Sequence, residues 1–107
     1  MGLLDFFKRL NINEGIQQYK ETTGAVLLDV RSPEEYAGGH IPDSINLPVE
    51  QIINAGQVLH DKDAVIFSYC LRGSRSAHAV KALRQMGYKN VINIGGIAGY
   101  KGEIMRE

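Results

Sequence analysis

The sequence predicts an α/β domain, because short apolar segments with strand character alternate with segments that carry helical signals. Residues 25–30 and 64–69 are almost continuously apolar, and their short length favours buried parallel strands over helices. A helix-start signal follows the first run at Ser32, and helical spacing follows the second from Ser76. At 107 residues, the chain has the length of one domain and is too short for a second core.

Charge and cysteine content exclude several classes of function. Lysine plus arginine and aspartate plus glutamate number 12 each, so no net charge would attract nucleic acid or an acidic membrane. We therefore expect no nucleic acid and no membrane among the partners. The single cysteine excludes an internal disulfide, and with only 3 scattered histidines neither a metal site nor a cofactor is predicted.

Residues 1–11 are predicted to form an N-terminal helical extension, and residues 12–107 a single domain. The extension has apolar side chains at the spacing of one helix face: Leu3, Leu4, Phe7 and Leu10. Asp5 interrupts this stretch and no small-residue cleavage site follows, so we do not expect a signal peptide. A helix docked on the domain, or a frayed terminus, is favoured over a weak membrane-surface role. Without an apolar run of membrane-spanning length, the protein is expected to be cytoplasmic.

Two helix starts are predicted early in the domain. Ile12 followed by Asn13 suggests a short strand that ends at an N-cap, with a helix over residues 14–20. The second start is at Ser32, where three signals coincide. They are an N-cap serine, a proline at the first helical position and a glutamate that completes a capping box: Ser32, Pro33 and Glu35.

The remaining predicted elements continue the alternation: a strand over residues 45–47, a loosely helical segment over 49–58, a strand over 64–69, a helix over 76–86 and a strand over 91–94. In the loosely helical segment, Ile52 and Ile53 are expected to point inward. The later helix has one apolar face, formed by Ala79, Val80, Leu83 and Met86. Gly87 is placed to end that helix in a left-handed conformation.

Cys70 lies in the turn between a predicted strand and a predicted helix. Right-handed β-α crossovers bring the carboxyl ends of parallel strands to one edge of the sheet, which is where ligands bind. The N–H groups of the turn, the helix dipole and the charges of Arg72 and Arg75 all favour a thiolate there. Most lone intracellular cysteines are small buried apolar residues, so the argument for reactivity depends on this position.

The length of the cysteine turn distinguishes two kinds of chemistry. Four residues, Leu71, Arg72, Gly73 and Ser74, separate Cys70 from Arg75. Cysteine-dependent phosphatases have five residues between the corresponding cysteine and arginine, and their loop encloses a tetrahedral phosphoryl group. A loop one residue shorter encloses less, such as a single sulfur atom attached to the thiolate.

Taken together, these segments resemble the single-domain members of the rhodanese family of sulfurtransferases. The matching residues occur in family order: Leu28-Asp29-Val30-Arg31 with Glu34, Glu35 and Tyr36; Gly39-His40-Ile41-Pro42 with Asn46 and Pro48; Tyr69-Cys70 with Gly73, Arg75 and Ser76; and Gly95-Gly96-Ile97. The resemblance implies a three-layer fold with a central five-stranded parallel sheet flanked by helices on both faces. Asp43-Ser44 and Tyr100 depart from the pattern, which has glycine-alanine and tryptophan there.

The resemblance also implies a thiosulfate or persulfide sulfurtransferase whose Cys70 alternates between thiolate and persulfide. Its partners would be a small-molecule sulfur donor, a thiol or cyanide acceptor and, in some settings, an acceptor protein. The substrate-binding residues would be those of the loop: Leu71, Arg72, Gly73, Ser74 and Arg75. Backbone N–H groups would hold the added sulfur, and Arg72 would steer an anionic donor.

Several roles stay open at this level. Arg75 either holds substrate or fixes the loop through a carboxylate or carbonyl, and Ser74 bonds either substrate or its own loop. Asp29 and Arg31 are expected to support the loop as an ion pair. His40 is a candidate base for the cysteine, but it lies in the Gly-His-Ile-Pro segment, for which the resemblance implies a structural role. Two alternatives to sulfur transfer are a non-catalytic or oxidant-sensing rhodanese-like module and, less favoured because of the loop length, a Cdc25-like phosphatase.

Overall fold

The computed structural model describes residues 10–107, and in these residues a parallel sheet carries helices on both of its faces. The elements, in chain order, are α1 (Ile12–Glu21), β1 (Val26–Asp29), α2 (Pro33–Gly38), β2 (Ile45–Asn46), a 3-10 helix (Val49–Gln57), β3 (Val65–Cys70), α3 (Ser74–Gln85), β4 (Asn90–Gly96) and a 3-10 turn (Ile97–Gly99). The α/β prediction is therefore confirmed.

Within residues 10–107 the sheet has four strands in the order β2-β1-β3-β4, and every pairing of these strands is parallel. Five strands were expected, and the one that is missing from the described residues is the strand predicted at Ile12. That residue lies in a helix. The Asn11 side chain accepts a hydrogen bond from the Glu14 N–H at 2.9 Å, and Glu14 accepts one from the Asn11 N–H at 3.3 Å. This capping box starts α1 at Ile12, so the strand predicted there and the N-cap predicted at Asn13 are wrong.

The side chains of the strands alternate between two apolar clusters, one on each face of the sheet. Leu27 and Phe67 pack with α1 on one face. Leu28 and Ile66 pack with α3 and the 3-10 helix on the other. Because helices cover both faces of the sheet, side chains on both sides of each strand are apolar. This explains the nearly continuous apolar runs in the sequence, which are typical of buried parallel strands.

The 3-10 helix corrects one predicted core position. Its three residues per turn place Val49, Ile52 and Ala55 on one side, and all three pack against the same apolar cluster. Ile53 then faces outward and is 79% exposed, so the prediction that it points inward is wrong.

The capping box at Ser32 and the left-handed Gly87, with φ of 98°, are confirmed.

Helix α3 begins at Ser74, two residues earlier than predicted, and β3 extends through Cys70. The turn between them is therefore shorter than the sequence suggested, with Leu71, Arg72 and Gly73 between the last strand residue and the first helical one. Cys70 itself takes its position from the strand, and the residues that follow it lead directly into the helix N-terminus.

The predicted N-terminal extension falls largely on residues 1–9, which lie outside the described residues. Leu10 is described, and it packs against the apolar cluster on the α1 face. Within residues 10–107, no helix combines the length and the apolar character needed to cross a membrane.

Candidate active site

Cys70 is the last residue of β3, and its sulfur lies beneath the loop that follows. The residue exposes 1% of its surface. The Gly73 N–H donates a hydrogen bond to the Cys70 Sγ at 2.9 Å. A backbone donor is thus aimed at the sulfur from within its own loop, and negative charge on that sulfur would be stabilised there.

Gly73 has a backbone conformation that glycine adopts readily and other residues rarely adopt. Its φ of 112° and ψ of −17° lie in the left-handed region, where a side chain would introduce strain. The same residue is the N-cap of α3, and its carbonyl accepts the hydrogen bond of the Ala77 N–H at 2.9 Å. The positive end of the α3 dipole therefore lies at the cysteine loop, as the sequence predicted.

The end of β4 lies against the loop. Gly96 pairs with Cys70 across the sheet, and a Cβ added to Gly96 would overlap the Leu71 carbonyl and lie 2.5 Å from the Arg72 Cα. The Ala98 N–H donates to the Leu71 carbonyl at 3.1 Å. Close contact with a bare glycine backbone thus determines where Leu71 and Arg72 run.

Arg75 is held by a carboxylate of α2. Its two terminal nitrogens donate to the two oxygens of Glu35 at 2.7 and 3.0 Å, a bidentate ion pair that is about one-third exposed. The hydrogen bonds from Arg75 lower the pKa of Glu35 to about 2, so the carboxylate stays ionised at neutral pH. This geometry favours the loop-fixing role of Arg75 over direct substrate binding.

The side chains of Arg72 and Ser74, unlike that of Arg75, make no hydrogen bond or ion pair within residues 10–107. Both residues are exposed. Leu71 beside them is also exposed, at 37%. A cationic group and a hydroxyl at the loop surface are therefore available to a ligand, while Arg75 is already engaged.

Asp29 and Arg31 form a buried ion pair that supports a different segment. The Arg31 guanidinium lies 2.7 Å from a carboxylate oxygen of Asp29 and donates a further bond of 2.7 Å to the Gly39 carbonyl. The Asn46 amide bonds the carbonyls of both residues of the pair, at 3.0 and 2.9 Å. These contacts connect the end of β1 to residues 39–46 and not to the loop over Cys70, so direct support of that loop stays a prediction.

His40 is engaged in scaffold contacts. Its Nδ1 lies 2.8 Å from the Tyr36 carbonyl oxygen, and its ring stacks on the Tyr36 ring with centroids 3.7 Å apart. Its backbone pairs with Met105 through bonds of 2.9 and 2.8 Å. Both ring and backbone therefore connect neighbouring segments, which agrees with the structural role expected for this histidine.

Two further contacts at the site were not foreseen from the sequence. The Ser76 hydroxyl donates to the Ser68 hydroxyl at 2.8 Å, which fixes the first turn of α3 to β3 in a fully buried position. The Asn93 amide donates to the Gly73 carbonyl at 3.1 Å. Isolated serine and asparagine residues carry no periodic signal, so only the fold identifies these partners.

The fold of this chain has counterparts in known proteins. Residues 13–103 match the rhodanese-like domain family. The chain belongs to the rhodanese-like family. A protein of Allochromatium vinosum described as a sulfurtransferase is 41% identical over 86 residues, which make up 78% of each chain. The resemblance seen in the sequence is thereby confirmed.

Further rhodanese relatives differ in length. The thiosulfate sulfurtransferase PspE of Escherichia coli is 35% identical over 71 residues, 65% of this chain and 68% of that protein. A solved structure of a rhodanese with anions from E. coli superposes with a TM-score of 0.72 at 30% identity, over 78% of this chain and 99% of that one. The chain spans only 48% of an uncharacterised protein of Synechocystis and 23% of the adenylyltransferase and sulfurtransferase uba4 of Ogataea parapolymorpha.

The two departures from the rhodanese pattern lie away from the cysteine. Asp43 has a φ of 72° and is the one non-glycine residue in the left-handed region within residues 10–107, which explains why glycine is usual there. Asp43 and Tyr100 both line a cavity of about 270 Å³ beside α1. That cavity is on the sheet face opposite the apolar cluster containing Cys70, so these positions belong to the scaffold.

Proposed function

We propose that this rhodanese-like chain transfers a sulfane sulfur from thiosulfate or a small persulfide to a thiol or cyanide, through a persulfide on Cys70. One contact supports this reaction most directly: the Gly73 N–H donates a hydrogen bond to the Cys70 Sγ at 2.9 Å. Relatives named as sulfurtransferases, and PspE as a thiosulfate sulfurtransferase, support the same chemistry.

In the first half-reaction, the Cys70 thiolate attacks the outer sulfur of the donor. A new S–S bond forms on Cys70 and the S–S bond within the donor breaks. Its electron pair leaves with the departing anion, which is sulfite when the donor is thiosulfate. No proton is transferred, so a thiolate needs no general base, and the engaged ring of His40 is consistent with that.

In the second half-reaction, an acceptor nucleophile attacks the outer sulfur of the Cys70 persulfide. The bond between the two sulfurs breaks, its electrons return to Cys70 as a thiolate, and the product is thiocyanate or an acceptor persulfide. This chain contains 1 cysteine, so no second thiol within it can discharge the persulfide. The acceptor is therefore an external molecule.

The loop supplies two kinds of stabilisation for these steps. Backbone donors such as the Gly73 N–H would bind the negative charge that resides on sulfur before and after transfer. The exposed guanidinium of Arg72 would attract and hold an anionic donor. Arg75 is committed to Glu35, so we assign it to fixing the loop.

The test of this proposal is a mass measurement followed by discharge. The protein is incubated with thiosulfate, and intact mass spectrometry is expected to show an increase of one sulfur atom. Added cyanide should remove that sulfur and produce thiocyanate. Cys70→Ser is the control and should show neither event. No adduct with thiosulfate or any other sulfane donor would refute the proposal.

Two further assays, with peroxide and with an aryl phosphate, separate the alternatives. An oxidant-sensing module would take up oxygen from peroxide at Cys70 but no sulfur from sulfane donors. A phosphatase would hydrolyse an aryl phosphate in a reaction that depends on Cys70. We expect no such hydrolysis, because the loop has only four residues between Cys70 and Arg75.

Replacement of Arg72 by alanine should affect anionic donors selectively. We expect kcat/KM for thiosulfate to fall about three- to tenfold, as the loss of an exposed charge-assisted contact would cause. For a neutral organic trisulfide the change should be less than about twofold. Steady-state thiocyanate formation measures both.

A matched control for Arg72 is Lys81, another exposed cation, which lies on α3 further from the loop. Lys81→Ala removes the same formal charge and is expected to leave both donors unaffected. An equal loss for the anionic and the neutral donor in Arg72→Ala would show that Arg72 does not recognise the donor.

A further inference from the structure

Asn93 connects β4 to the cysteine loop through both ends of its amide. Its Nδ2 donates to the Gly73 carbonyl at 3.1 Å, and its Oδ1 accepts from the Gly95 N–H at 2.9 Å. The side chain is half-buried beside the loop. One small polar group thus fixes a residue of the loop relative to the strand that the loop lies against.

The sheet register explains why an asparagine is needed at this point. Asn93 pairs with Ser68 and Gly96 pairs with Cys70, so β4 contains one residue more than β3 over this stretch. The turn formed by the Asn93 Oδ1 and the Gly95 N–H takes up that extra residue, with Gly95 at φ of 95°. The bulge brings the Gly96 backbone against the loop and leaves the Asn93 Nδ2 facing Gly73.

Gly73 is the loop residue whose orientation matters most for the sulfur. Its N–H reaches the Cys70 Sγ, while its carbonyl accepts from both Ala77 and Asn93. Glycine has no side chain to restrict its φ and ψ, so without these bonds its peptide planes would rotate easily. Holding the carbonyl fixes the peptide plane that follows Gly73. That limits where its Cα and the preceding peptide, which carries the Gly73 N–H, can lie.

We propose that Asn93 is a positioning residue, which keeps the Gly73 N–H aimed at the Cys70 sulfur by holding the Gly73 carbonyl. It acts through Gly73 and does not touch the sulfur. The link to turnover rests on the proposed sulfur transfer, but the effect on Cys70 reactivity does not. Alkylation of Cys70 is therefore measured beside turnover, because it requires no sulfur donor.

Two substitutions at Asn93 separate its two hydrogen bonds. Asn93→Asp keeps an oxygen to accept from Gly95 but has no N–H to donate to Gly73, while Asn93→Ala removes both bonds. We expect both variants to lower the rate of Cys70 alkylation by iodoacetamide at pH 7, and kcat for thiocyanate formation, about 3- to 10-fold. KM for thiosulfate should change less than about twofold, because Arg72 is unaltered.

Asn90 provides the matched control, since it lies on the same strand and its amide donates to the Asp63 carbonyl at 2.9 Å, in an exposed position. Asn90→Ala should leave alkylation and turnover unchanged. Asn93→Asp with the reactivity of the unsubstituted protein would overturn the proposal, since the bond to Gly73 would then be dispensable. An Asn93→Ala variant that is less stable to heat but is alkylated at the normal rate would also overturn the proposal, because Asn93 would then only stabilise the fold.

Amide hydrogen exchange in the unsubstituted protein tests the same geometry even if both variants fail to fold. The N–H groups of Gly73 and Gly95 should exchange far more slowly than exposed loop amides, because each is hydrogen-bonded. Exchange of Gly73 at the rate of an exposed amide would overturn the proposal. The two proposals can fail separately. If the unsubstituted protein takes up no sulfur but the Asn93 variants are alkylated more slowly, the transferase proposal is refuted and the role of Asn93 is supported.

Discussion

Replacement of Gly96 by alanine is expected to abolish sulfur transfer while the chain remains folded. A Cβ at this position would overlap the Leu71 carbonyl and lie 2.5 Å from the Arg72 Cα, so the loop must move. Displacement of a reacting group by about 1 Å can cost on the order of 100-fold in rate, and we expect at least that loss in kcat. Thiocyanate formation by the purified variant measures it.

The stability cost of the Gly96 substitution should be smaller than its effect on rate. Overpacking of this kind lowers the free energy of unfolding by about 1–3 kcal/mol, which circular dichroism in urea can follow. Gly56→Ala is the matched control, because no atom of the described residues lies within 4 Å of an added Cβ there. A Gly96→Ala variant with normal turnover would show that the loop position does not limit the reaction.

Replacement of Asp29 by alanine should have the largest effect on stability, with a loss of about 3–5 kcal/mol in the free energy of unfolding. The side chains of Asp29 and Arg31 are 0% and 6% exposed, so the substitution leaves a guanidinium buried without its counter-charge. Urea unfolding of the variant checks the magnitude. Within the described residues, the side-chain hydrogen bonds of the pair lead to residues 39–46 and not to the cysteine loop, so the folded fraction should retain most of its turnover.

Asp63→Ala is the corresponding control for an exposed pair. Asp63 lies 3.2 Å from Lys89, but the two side chains are 73% and 72% exposed, so water and salt screen the attraction. Its loss should lower the free energy of unfolding by less than about 1 kcal/mol. Equal losses for Asp29→Ala and Asp63→Ala would contradict the idea that burial makes the first pair important.

Local signals in the sequence predicted much of the fold correctly. The capping box at Ser32 and the left-handed turn at Gly87 depend on neighbours within a few residues, and both are confirmed. Errors arose where two local patterns competed. Ile12 was predicted to be a strand residue, but the Asn11 capping box makes it the first residue of α1. Ile53 was predicted to point inward, but the 3-10 helix has three residues per turn and places it on the outer side.

The sequence alone also placed the candidate site, because Cys70 and its loop form one continuous segment at a predictable edge of a parallel sheet. Tertiary structure decided which groups hold that segment. Glu35 is 40 residues from Arg75, and Asn93 is 20 residues from Gly73. Contacts over such separations form only when α2 and β4 reach the same sheet edge, so no spacing in the chain encodes them. The chemistry of the loop is thus local, while its shape is set by residues that folding brings to it.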